Sequence, residues 1–144
     1  MGSTVRKMTA EDRGVVLEMM RVFYASPAVL SNGSEEIFAA DVDRCLEANP
    51  YLEGYIIEDG EVQGYAMIAK SFSTEFGKSC IWIEDLYIKE AFRGCGAGSA
   101  FLDFITKKYA GSLFRLEAEQ ENEKAIGLYK KFGFTGLPYV EMKR

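Results

Sequence analysis

Two hydrophobic periods alternate along the chain, and the places where one gives way to the other mark its elements. Thr4 to Met8 reads as a short strand. Val15, Val16, Met19, Met20 and Phe23 then recur at three- and four-residue steps, which predicts a helix with one buried stripe, running to about Tyr24. Thr9 is its N-cap, with an acidic third residue at Asp12. Pro27 and Ser31-Asn32-Gly33 break the pattern. Ser34 caps a second helix with Ile37, Phe38, Val42, Cys45 and Leu46 on its inner side, ending before Pro50. The period then shortens. Gly54 to Glu58 and Glu61 to Ser71 flank Asp59-Gly60, a strong hairpin signal. A second antiparallel turn is expected around Glu75-Phe76-Gly77-Lys78, leading into a strand from Cys80 to Ile88. A glycine-rich loop follows, then a helix from Ser99 to Lys108 or Tyr109 and a strand from Leu113 to Ala118. The last helix starts near Glu121, carries Ala125, Leu128, Tyr129 and Phe132 on one face, and ends at Gly133 as its C-cap residue. Phe134 opens a final extended segment through Tyr139 and Val140 to Met142. The order β-α-α-β-β-β-α-β-α-β predicts an α/β domain, a mixed sheet with helices on both faces. No repeat, low-complexity segment or linker interrupts it, so residues 1–144 read as a single domain.

Composition narrows the chemistry. The formal net charge of −5 argues against a nucleic-acid footprint, which needs a concentrated basic face, and suits a cationic partner. Cys45, Cys80 and Cys95 are odd in number and follow no metal-binding spacing, so they read as free thiols in a reducing, cytoplasmic compartment. No signal peptide and no membrane-spanning run is present, and Arg6 stands where a myristoylation signal after Met1-Gly2 needs Ser or Thr. The chain has no histidine. Acid–base work must fall to carboxylates, tyrosine, cysteine, lysine or water.

The densest candidate chemistry lies between Ile83 and Gly98, where a β-branched and aromatic strand turns through a basic, glycine-rich loop into a helix. Gly94, Gly96 and Gly98 let a ligand approach the backbone closely, and the amides opening the helix point outward unpaired. Such a loop favours phosphate or pyrophosphate, with Arg93 adding positive charge at its entrance. Glu84 and Asp85 stand upstream on the strand. The dinucleotide fingerprint fails here, because the glycines fall as G-x-G-x-G and too little chain follows. A nucleoside-triphosphate loop ending at Gly77-Lys78-Ser79 would need its first glycine where Phe72 stands. The pattern [RQ]-x-x-G-x-[GA] does fit, at Arg93, Gly96 and Gly98. It resembles the acyl-CoA-binding motif of the GNAT N-acetyltransferase superfamily. Asn122, Ala125, Tyr129, Gly133 and Phe134 resemble the same family's later element, N-x-x-A-x-x-x-Y-x-x-x-G-F, in the right order.

That resemblance implies a GNAT-type, mostly antiparallel sheet flanked by helices, and acetyl-CoA as co-substrate. The acceptor would be a primary amine of a small cationic molecule, attacking directly. A peptide or protein amine, or a non-catalytic acyl-CoA-binding module, are the alternatives. By resemblance Leu86 and Ile88 offer backbone groups to the pantetheine arm, the amides of Gly94, Gly96, Gly98 and Ser99 take the pyrophosphate, and Asn122 caps its helix or bonds the cofactor. An amide near Leu86 would polarise the thioester carbonyl. The run from Ile83 to Ile88 resembles the strand of spermidine/spermine-type small-amine enzymes, which implies Glu84 as base, through water, and Asp85 as cation anchor. On a regular strand these neighbours face opposite ways, so both reach one pocket only where the strand bulges or splays. Tyr129 would protonate the departing thiolate. Tyr24 is a candidate substrate contact as well as a packing aromatic. Cys95 is not expected to carry an acyl group: no histidine exists to activate it, and the family transfers directly. Dimers are common in the family, and the C-terminal strand could pair across subunits.

Overall fold

The computed structural model describes residues 2–144, so Met1 of the Met1-Gly2 start lies outside the described residues. Its first strand, β1 (Thr4–Lys7), is followed by a 3-10 turn and then by helices α1 (Arg13–Tyr24) and α2 (Glu35–Leu46). Next come strands β2 (Leu52–Glu58), β3 (Val62–Ser73) and β4 (Lys78–Ile88). Helix α3 (Ala97–Lys108), strand β5 (Leu113–Leu116) and helix α4 (Glu123–Lys131) complete the order. Ser34 caps α2 as expected, whereas Thr9 caps the 3-10 turn Ala10–Asp12 that leads into α1 rather than α1 itself. The Asp12 carboxylate accepts from the Thr9 amide at 2.7 Å, and Ser34 Oγ accepts from the Ile37 amide at 3.2 Å. Gly60 and Gly77 take positive φ in the two hairpin turns, and Gly133 does so beyond α4.

The sheet runs β1-β2-β3-β4-β5, antiparallel throughout except for the parallel β4–β5 pair. Both faces are covered, which is why β2 and β3 are buried almost continuously rather than alternately. On one face Val16, Met19 and Met20 of α1 and Phe38, Val42 and Cys45 of α2 pack against Ile56, Tyr65, Met67 and Tyr87. On the other, Phe101, Leu102 and Ile105 of α3 pack against Tyr55, Ile57, Ala66, Ile68, Ile81 and Ile83, with Leu128, Tyr129 and Phe132 of α4 at the margin.

Two expectations fail. Ile37 is 51% exposed and does not join the inner face of α2, because Phe38 and Val42 already fill the contact with the sheet. The segment from Phe134 to Met142, expected to be a final strand, forms none, and Val140 and Met142 are 85% and 86% exposed. Its alternating apolar residues carry strand propensity, yet a strand needs a partner edge, and β5 offers only four residues.

Candidate active site

The site grows from one irregularity in β4. Ile83 lies opposite Ile68 of β3 and Asp85 opposite Met67, which leaves Glu84 as the extra residue of a bulge. The bulge resets the alternation of the strand. Ile81 and Ile83 point into the core beneath α3, whereas Asp85 and Tyr87 turn to the face covered by α1 and α2. Pairing with β5 stops at the same place, at Ile83 opposite Leu116. Beyond it β4 runs on through Ile88 with the edge that faced β5 open. A split between parallel strands, lined by free backbone groups, accepts an extended ligand as an added strand.

Asp85 is 4% exposed, and its partners are two phenols. Tyr24 of α1 donates to Oδ1 at 2.9 Å, and Tyr65 of β3 donates to Oδ2 at 2.7 Å. No lysine or arginine among the described residues pairs with it. Burial raises its carboxyl above the ordinary aspartate value, and the hydrogen bonds from Tyr65 and Tyr24 only partly oppose this. Asp41 of α2 faces the same space; burial first and the Asp85 charge second raise it too. Tyr24, which the sequence left between packing and substrate contact, packs by its ring and hydrogen-bonds Asp85 by its hydroxyl. Its ring lies 5.3 Å from Phe23 and 5.2 Å from Phe38, centroid to centroid, while its hydroxyl reaches Asp85.

Glu84 stands open to solvent, yet surrounding protein displaces enough water to raise its carboxyl, with the charges of Asp85, Glu141 and Asp41 adding to the effect. Across the split, Glu117 at the end of β5 meets Glu141 of the C-terminal segment. A hydrogen bond between these two carboxyl groups is the main reason Glu117 sits well above the usual range, followed by burial and the charges of Glu141 and Glu84. Acidic groups from α2, β4, β5 and the C-terminal segment thus surround one opening. Both Glu117 and Glu141 line a cleft of about 1070 Å³ that also holds Tyr129. Tyr129 packs edge-on to Phe134 at 5.9 Å, burial raises its phenol, and its hydroxyl has no hydrogen-bond partner among the described residues.

The glycine loop has the geometry an anion needs. Gly94 and Gly96 take φ of 81° and 91°, and nothing crowds the position a Cβ would fill at either. Gly96 caps α3, and its carbonyl accepts the first helical bond from Ala100 at 2.9 Å. The amides of Ala97, Gly98 and Ser99 are therefore free of helical partners. Gly98 serves packing as well: a Cβ there would come within 3.0 Å of Leu128. These features fit the pyrophosphate and pantetheine of a coenzyme A thioester. Arg93 is held back, its Nε donating to the Ile88 carbonyl at 3.0 Å with the guanidinium 5.8 Å from the Tyr87 ring centroid. Asn122 caps α4, its Oδ1 accepting from the Ala125 amide at 3.4 Å. Cys95 Sγ donates to the Phe92 carbonyl at 2.6 Å, a local structural bond.

The structure thus gathers Tyr24, Glu84 and Asp85 around the bulge and leaves Tyr129 across the cleft. It adds Tyr65, Asp41, Glu117 and Glu141, which sequence reasoning missed. Tyr65 reads as core on any buried strand, and only the β3–β4 register puts its hydroxyl on Asp85.

Comparisons agree with this geometry. The Acetyltransferase (GNAT) family profile matches residues 17–134. A thialysine N-epsilon-acetyltransferase of Sus scrofa is 30% identical over 151 aligned positions, covering 95% of this chain and 86% of that protein. A spermine/spermidine N(1)-acetyltransferase of Bacillus subtilis is 23% identical, covering 93% and 88%. A predicted acetyltransferase from Clostridium acetobutylicum, solved with acetyl-CoA, superposes with a TM-score of 0.74 at 20% identity, covering 98% of this chain and 96% of that one. The chain belongs to the GNAT family and is an acetyl-CoA-dependent N-acetyltransferase.

Proposed function

We propose that this acetyltransferase acts on a primary amine of a small cationic acceptor, with the ammonium seated against Asp85. The observation that carries the reading is a buried carboxylate with two phenols and no cation, at the bulge where β4 and β5 part. A buried charge without a counter-charge is costly, and a bound ammonium supplies one. Relatives named for thialysine and for spermine or spermidine support the same acceptor class.

In this reading residues 1–144 form one catalytic domain. Leu86 and Ile88 hold the pantetheine arm along the open edge of β4, and Gly94, Gly96, Gly98 and Ser99 hold the pyrophosphate. Arg93 swings from Ile88 to meet it, and the second amide hydrogen-bonding group of Asn122 turns to the cofactor. Bound acetyl-CoA supplies the activated acetyl group. An amine of pKa about 10.4 must lose its proton before attack. Glu84, open to solvent with a raised carboxyl, takes that proton through water. The amine nitrogen then bonds the acetyl carbon as the carbon–sulfur bond breaks, the free Tyr129 hydroxyl gives its proton to the leaving thiolate, and the surplus proton on nitrogen passes through water to restore the tyrosine.

The test is release of coenzyme A thiol from acetyl-CoA across polyamines, amino acids, aminoglycosides and short peptides. Saturable release with one small-amine class is expected. Acetyl-CoA binding without amine-dependent release would sink the reading. The unpaired outer edge of β5 and the exposed Tyr139, Val140 and Met142 support pairing of two copies through their C-terminal segments. Light scattering then gives a dimer, and removal of residues 134–144 a monomer.

A further inference from the structure

We propose that Tyr65, assisted by Tyr24, is a positioning residue that holds Asp85 ionised and aimed at the acceptor. This rests on the acceptor reading above. Tyr65 is fully buried on β3, with its hydroxyl 2.7 Å from Asp85 Oδ2. Its ring is fixed by Phe23 of α1 at 6.4 Å and by Tyr87 of β4 at 6.1 Å, so the hydroxyl has one direction to point. Tyr24 approaches the other carboxylate oxygen from a different element. Each oxygen of Asp85 therefore receives one donor, which fixes the plane of the carboxylate and leaves its remaining lone pairs for an ammonium.

The arrangement also answers an electrostatic difficulty. Asp85 is faced by Asp41 and Cys45 from α2, Tyr24 from α1, Tyr65 from β3, and Glu84 and Tyr87 on its own strand, and none of these is a cation. Burial and like charge both favour its neutral form, in which an ammonium would gain little. Hydrogen bonds from neutral phenols stabilise the carboxylate without neutralising it. Burial raises both phenols further from ionisation, so both stay donors throughout the working range. A lysine in their place would fill the site with the cation it is meant to receive.

The experiment follows the Asp85 carboxyl by carbon NMR in aspartate-labelled protein, assigned with Asp85→Asn, beside the acceptor and acetyl-CoA kinetics. Tyr65→Phe should move the Asp85 titration to higher pH and raise the acceptor KM about tenfold near neutrality, the effect of losing one hydrogen bond to a charge. The acid limb of the acceptor profile moves the same way, while the KM for acetyl-CoA stays put. Tyr24→Phe, at a half-buried ring, gives the same signs with smaller size and serves if Tyr65→Phe folds poorly. An Asp85 titration indifferent to both substitutions overturns the proposal. So does a titration that moves while the acceptor KM does not. Failure to find any acceptor would instead sink the proposed reaction, so the two failures are distinguishable.

Discussion

Two carboxylates are buried in this sheet, each gripped by two tyrosine hydroxyls, and they have opposite electrostatics. Glu53 of β2 is 8% exposed and accepts at Oε1 from Tyr55 at 2.5 Å and Tyr109 at 2.6 Å. Its Oε2 meets Lys70 at 3.1 Å and Lys7 at 4.0 Å. Burial pushes that carboxyl up, but the bonds from Tyr109, Tyr55 and Lys70 outweigh it and bring the group down to about 2. Asp85 has the phenols and lacks the lysines, and burial wins. The difference separates a finished structural network from one that a ligand completes. Phenols orient a carboxylate and partly offset its burial, whereas only a cation cancels its charge.

The comparison can be broken from either side. The largest effect belongs to Asp85→Asn. The second-order rate constant for the amine should fall by about a hundredfold or more, the cost of removing one partner of a buried charge pair. Acetyl-CoA affinity by calorimetry should barely change. The thermal midpoint should hold or rise, since an uncompensated buried charge is gone; an amine rate within twofold of the unsubstituted enzyme would end the anchor assignment. Tyr129→Phe comes next, with turnover down by 10- to 100-fold and cofactor affinity retained. An unchanged rate in a stopped-flow thiol assay would remove Tyr129 from the chemistry.

Glu53→Gln should behave in the opposite sense. It leaves Lys70 facing a neutral group and should cost about 2–3 kcal/mol of stability at neutral pH, with acceptor kinetics intact. The pH dependence carries the sign of each shift. Glu53 is lowered in the folded state, so its stabilisation is present above the unfolded value of about 4.3 and is lost as pH falls toward about 2. Asp85 is raised, so its ionisation works against folding, and stability falls as pH rises from the unfolded value through the folded one. Denaturant melts between pH 2 and 7 should show the Glu53→Gln deficit closing toward acid and the Asp85→Asn advantage closing likewise. Parallel curves for the two variants would mean that the sites do not differ as described. The smallest effect on stability is that of Glu84→Gln, within about 0.5 kcal/mol. Its rate profile should lose the acid limb that reports the carboxylate's deprotonation and move its optimum to higher pH, where the amine is already neutral; a profile with no change leaves Glu84 structural.

Much of this molecule could be read along the chain. Helix stripes, the caps at Thr9 and Ser34, the Asp59-Gly60 hairpin and the glycine loop are local, because periodicity, capping and positive φ are settled by neighbours within a few residues. So were the two motifs at 93–98 and 122–134 that resemble the acetyltransferase family. A need for a bulge near Glu84 could also be argued, since two adjacent carboxylates cannot otherwise serve one pocket. The failure at residues 134–142 has the same logic in reverse: strand propensity is local, but the edge that would pair with it is not.

Tertiary structure alone decided which carboxylate is compensated. Glu53 and Asp85 look alike in sequence, each an acidic residue on a strand two places from a tyrosine. Lys70 reaches Glu53 across 17 residues of chain and Tyr109 across 56, while Tyr24 reaches Asp85 across 61. A charge's environment is set by whatever the fold brings within a few ångströms, and no periodicity in the chain encodes that distance.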